Sequence, residues 1–198
     1  MPSHPNPPLT PPTGTGDPGA AQAVHATAIN TTAVNATMAK FGHPGSVAAQ
    51  TAHWSVQVRP QQPTLGALVL VCREPVTAFG QVSPDAFAEL GHVVAAVEGM
   101  LRAAIGYQKI NYLMLMMVDP DVHFHVIPRY EGAREFAGLA FPDTGWPGPP
   151  ALSPAVALDA GTMAALVAEL ARHWPGLGPG LGLDNGDNVG AGTPVAAP

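Results

Sequence analysis

Cysteine is almost absent: Cys72 is the single one in 198 residues. One thiol excludes an internal disulfide and a zinc site built from several cysteines, and it fits a reducing compartment. Cations are scarce too, with Lys and Arg numbering 8 against 14 Asp and Glu, for a net charge of −6. Nucleic-acid binding needs clustered cations to neutralise phosphates, and no basic run occurs here. No apolar run approaches the ~20 residues of a membrane helix, and the first residues lack the basic and apolar regions of an export signal. These absences lead to the expectation of a cytoplasmic protein with neither nucleic-acid nor membrane partners.

Glycine and proline are plentiful, at 22 and 23 residues, and 46% of the chain is hydrophobic. The Gly and Pro excess gathers at the two ends, which carry too few large apolar residues to offset ordering entropy. The expected layout is an N-terminal arm over 1–45, disordered or weakly structured with a short helix within 24–41, one domain over 46–175, and a disordered tail over 176–198. Residues 1–23 form the most proline-rich part of the arm.

Inside the domain, WSVQV (54–58) alternates like a strand, and ALVLVC (67–72) has the continuous apolar run of a strand buried on both faces. Ser83-Pro84-Asp85 supplies an N-cap, a first-turn proline and an acidic residue at the positive helix end. Phe87, Leu90, Val94, Val97, Leu101 and Ile105 then recur at helical spacing, with Asp85, Glu89, His92 and Arg102 opposite and Gly106 as the stop. INYLMLMM (110–117) and DVHFHVIPR (121–129) read as two further strands, 131–159 as a loop, and 160–174 as a helix presenting Met163, Leu166, Val167, Leu170 and Trp174. Short turns within each strand pair favour an antiparallel α+β architecture.

The chemistry concentrates at Asp121-Val122-His123-Phe124-His125. Alternation puts Asp121, His123 and His125 on one face of the strand and Val122, Phe124 and Val126 on the other. Three readings follow from the residues alone: a solvated face with incidental histidines, a transition-metal site with Asp121, His123 and His125 as ligands, or a catalytic row. Arg129 could hold a phosphate and Asn111 could face a ligand; Cys72 sits in an apolar run as an inert core thiol.

The stretch from Val122 to Arg129, VHFHVIPR, resembles the signature of the histidine triad (HIT) superfamily, in which histidines alternate with apolar residues and Pro-Arg often follows. The order of elements over 46–130 agrees. The resemblance implies an α+β antiparallel sheet of about five strands, a main helix on one face, a C-terminal helix, and a two-fold dimer. It implies a nucleotide hydrolase or nucleotidyltransferase acting at the α-phosphorus of dinucleoside polyphosphates or nucleoside phosphate conjugates. His123 falls on the attacking histidine and His125 on the one that contacts phosphate oxygens, while Asp121 replaces the first histidine. The expected site is thus His123, His125 and Asp121 for catalysis, with Arg129 and Asn111 for substrate. No cofactor is expected to be required, though Mg²⁺ could accompany the nucleotide. The loop before the triad, Met117-Val118-Asp119-Pro120, lacks the family's polar phosphate donors and adds a second carboxylate. Carboxylates there could raise the pKa of His123 or His125.

Overall fold

A computed structural model describes residues 33–176. The expectations for residues 1–23 and for the tail past 176 lie outside the described residues. The elements run α1 (Ala36–Lys40), β1 (Val47–Gln50), β2 (Trp54–Val58), β3 (Gln61–Gln62), β4 (Leu68–Cys72), α2 (Pro84–Ile105), β5 (Lys109–Leu113), β6 (His123–Arg129), β7 (Ala133–Phe136), β8 (Leu139–Pro142), β9 (Val156–Ala157) and α3 (Ala160–Arg172). The main sheet has five strands in the order β1-β2-β4-β6-β5, every neighbouring pair antiparallel. The architecture is the α+β layer arrangement expected from the sequence. No helix among the described residues is long and apolar enough to cross a membrane.

β4 explains its own apolar run. Leu68, Leu70 and Cys72 face the main core with Val93, Val97 and Leu101 of α2, while Val69 and Val71 face the opposite side, against Met38 and Phe41. The segment around α1 thus covers the second face of the sheet, although it falls within the span expected as the N-terminal arm. Asn35 caps α1 by accepting from Met38 N, and its own amide donates to the Cys72 carbonyl, each at 2.9 Å. β6 follows the same division: Val122 and Val126 join the main core with Phe124 packed on it, and His123 and His125 pair across to Val71 and Val69.

α2 begins and ends where its signals stand, with Ser83 accepting from Ala86 N and Gly106 left-handed at φ 65°. Val97, Leu101 and Ile105 are buried as expected, but the N-terminal half turns a different face inward. Ala86, Glu89, Val93, Val97 and Met100 are buried, while Phe87 is exposed. Glu89 is inside because its carboxylate accepts from Ala52 N at 3.2 Å and His53 N at 2.8 Å, satisfying the turn between β1 and β2. Gly66, at φ 80°, precedes β4 in close contact with α2; a Cβ there would lie 2.9 Å from Ile105 Cγ1.

β5 is shorter than expected. Its pairing with β6 ends at Leu113 opposite His125, and the chain leaves the sheet, carrying Met117 to 89% exposure. β6 starts two residues later than expected and ends at the same Arg129, with Pro128 lying within it, paired with Ile110. The Arg129 carbonyl accepts from Gln108 on the β5 side, so the Pro128 nitrogen faces the β4 side, beyond the last pair, Leu68 with Val126. The expected loop over 131–159 contains the β7–β8 hairpin and β9, which pairs with β3. Buried Tyr130 ties this region down: its hydroxyl accepts from Leu65 N at 2.7 Å and donates to the Phe141 carbonyl at 2.9 Å.

Candidate active site

Strand alternation sets His123 and His125 side by side on the face of β6 that looks towards α1, with ring centroids 5.0 Å apart and planes near perpendicular. Both are buried. Phe41, just past α1, packs on both rings at 6.4 and 5.8 Å.

Hydrogen-bond chemistry fixes the two rings differently. His123 Nδ1 lies 2.7 Å from the Asp121 carbonyl oxygen. A carbonyl only accepts, so Nδ1 carries the hydrogen and the neutral ring keeps its lone pair on Nε2. That Nε2 is buried without a hydrogen-bond partner; Asp119 Oδ2 stands 4.0 Å from it. At His125, Arg59 Nη1 lies 3.4 Å from Nδ1. A guanidinium only donates, so Nδ1 is the acceptor and Nε2 bears the hydrogen. Burial, followed by the charges of Arg59, His123 and Lys40, pushes the His125 pKa down to about 4, with Asp119 opposing them. The expectation that neighbouring carboxylates raise it fails for His125, because desolvation and nearby cations outweigh one acid.

A cleft of about 590 Å³ opens beside the histidines, lined by Lys40, Phe41, Arg59, Leu115, Asp119 and His125 among others. Lys40 is ion-paired with Asp119. Two cations against one carboxylate leave an excess positive charge, which suits an anion between apolar walls.

Asp121, expected in the catalytic row, lies outside β6 and turns its carboxylate away. Oδ2 accepts from Thr37 N at 2.9 Å, and Asp121 N donates to Thr37 Oγ1 at 3.2 Å. This reciprocal clasp satisfies an early N–H of α1. The metal set expected with Asp121 changes accordingly: Asp119, His123 and His125 each offer a ligand atom, all within 4.8 Å of one another. Two imidazoles and a carboxylate form a donor set of the zinc type.

Arg129 and Asn111 come together, but not at this cleft. Arg129 donates to Asp143 Oδ2 at 2.6 Å, to Asn111 Oδ1 at 2.9 Å and to the Gly148 carbonyl at 3.1 Å. Its guanidinium is committed to anchoring the 143–148 segment. Sequence reasoning missed Lys40, Phe41 and Arg59 as site residues. The signal available for Arg59 was its place in the turn leading towards β4; Lys40 and Phe41 reach the site through tertiary contacts.

No protein-family model matches the chain, and no curated protein matches it. Solved structures do. A histidine triad (HIT) protein from Sinorhizobium meliloti 1021 is 20% identical with a TM-score of 0.56, the match covering 71% of this chain and 96% of that one. A histidine triad protein from Bradyrhizobium japonicum is 19% identical with a TM-score of 0.53, covering 72% of this chain and 97% of its own. One from Marinobacter aquaeolei VT8 is 20% identical with a TM-score of 0.52, covering 65% and 87%.

Proposed function

We propose that this chain, whose fold is that of the histidine triad proteins, is a nucleotide hydrolase or nucleotidyltransferase that works through His123. The observation that carries the reading is the His123 tautomer: Nδ1–H committed to the Asp121 carbonyl, and a buried Nε2 lone pair with no hydrogen-bond partner. Such a nitrogen is a nucleophile held in one orientation by the strand beneath it.

In this mechanism, Nε2 attacks the α-phosphorus. A P–N bond forms, the P–O bond to the leaving group breaks, and the leaving oxygen takes the electron pair. The ring's new positive charge is stabilised through Nδ1–H on the Asp121 carbonyl. Neutral His125 donates from Nε2–H to a non-bridging oxygen as charge builds there. Water then attacks phosphorus, displaces Nε2 and loses a proton, giving a nucleoside monophosphate. A phosphate leaving group departs as an anion and needs no proton, which favours dinucleoside polyphosphates or nucleoside phosphate conjugates. Mg²⁺ would enter only as the counter-ion of a polyphosphate. A homodimer and a cytoplasmic setting complete the reading.

A second reading is nucleotide binding without turnover, favoured by the full burial of His123 behind the Asp119 carboxylate. Incubation with labelled dinucleoside polyphosphate separates the two. Acid-labile nucleotidylated protein, absent in His123→Ala, supports transfer; tight binding with no labelled protein and no product supports binding alone. Undiminished turnover by His123→Ala overturns the mechanism.

A further inference from the structure

The carboxylate of Asp119 stands where the reaction would need a phosphate. Its Oδ2 lies 4.0 Å from His123 Nε2, and its Oδ1 accepts from Lys40 Nζ. A phosphorus poised for attack sits roughly 3–3.5 Å from its nucleophile, so its non-bridging oxygens would fall in the volume this carboxylate fills. The Asp119 side chain is only 11% exposed, whereas that of Lys40 is 51% exposed and can turn towards an incoming ligand. Lys40 Nζ also lies 5.8 Å from the Phe41 ring centroid, which keeps its stem at the cleft wall. Among the described cleft residues, Asp119 is the single carboxylate and Lys40 and Arg59 are the two cations.

We propose that Asp119 is a resident competitor for Lys40 that sets the charge preference of the site, offsetting part of the advantage that its two cations give a doubly charged phosphate over a singly charged α-phosphate. This rests on the nucleotidyl-transfer reading. To reach His123 Nε2, a phosphate must take Lys40 and leave Asp119 beside it without its counter-ion. The repulsion then grows in proportion to the charge on the phosphate. The reacting phosphate of a dinucleoside polyphosphate or a nucleoside phosphate conjugate carries one negative charge. A released nucleoside monophosphate carries close to two at neutral pH, since the second ionisation of such esters falls near 6. Asp119 therefore acts harder on product than on substrate. When product leaves, Lys40 returns to Asp119 and the resting pair re-forms.

The test uses the full chain and two probes differing in one charge: adenosine 5′-monophosphate and its methyl ester, with the guanosine pair run in parallel. Dissociation constants are measured by calorimetry for wild type, Asp119→Asn and Lys40→Gln, alongside wild-type turnover of a dinucleoside polyphosphate. Asp119→Asn keeps the side-chain shape and is expected to tighten the monophosphate about tenfold, the scale of one pKa unit of charge interaction, and the methyl ester by clearly less. Lys40→Gln is expected to weaken both, the monophosphate more. Equal changes for the two probes in Asp119→Asn, or none, overturn the proposal while leaving the transfer reading intact. A wild-type protein that binds neither probe and turns over no dinucleotide removes the reading and the proposal together.

Discussion

The carbonyl oxygen of Asp121 lies 2.7 Å from Nδ1 of His123. Asp121 therefore orients its neighbour through its backbone, while its carboxylate is spent on Thr37, two residues into the segment that forms α1. A carbonyl is present whatever the side chain, so this part of the arrangement does not depend on which residue stands at position 121.

Under the proposed mechanism, His123→Ala is expected to bring nucleotide cleavage to background with the fold retained, since it removes the proposed nucleophile. His125→Ala keeps the nucleophile and loses one donor to the phosphate, an expected slowing of roughly 10²–10³-fold. Single-turnover kinetics, with circular dichroism of both variants, checks the pair.

Asp121→Ala is expected to cost about 1 kcal/mol of stability, the usual scale for removing a side chain that satisfies an early helix N–H. The His123 tautomer should persist. Urea denaturation measures the first, and ¹⁵N chemical shifts of the His123 ring measure the second. Loss of the Nδ1–H signal with unchanged stability would contradict both assignments.

Stability should depend on pH through His125. Its pKa falls from the ordinary 6.5 to about 4 in the folded chain, so between those values the unfolded state binds a proton that the folded state refuses. Stability is fully present above 6.5, declines as pH drops through the window, and levels below about 4 for this group. His125→Asn should flatten that part of the Tm profile; an unchanged slope would assign it to other residues.

Tyr130→Phe leaves the Leu65 N–H without its acceptor inside the core and is expected to cost about 1–3 kcal/mol. A lower urea midpoint at constant m-value is the expected result.

Much of the frame was legible because local signals agreed with the tertiary structure. Ser83, Pro84 and Gly106 mark the ends of α2 where the structure has them. The alternation through 122–126 separates the histidine face from the core face, as burial bears out. The unbroken apolar run of β4 signals a second covered face, but nothing in a run says what covers it. Lys40, Phe41 and Arg59 reach the cleft through pairings fixed only when the sheet closes. Glu89 was misplaced because polarity alone put it outside; two backbone N–H groups over thirty residues away draw it in. Arg129 and Asn111 carry suitable chemistry for a phosphate, yet Asp143 claims the guanidinium first.

The Thr37–Asp121 clasp joins positions 84 residues apart, and that separation orders events during folding. A five-residue helix cannot persist alone, since nucleation costs more than so few bonds return. α1 therefore has no stable existence until β4 and β6 have paired and brought both the clasp and the Val69–Val71 surface into being. The wall that carries Lys40 and Phe41 thus follows the pairing of β4 with β6, and amides of α1 should exchange with solvent sooner than those of β4. A chain arrested before that step would own both histidines and still have no cleft.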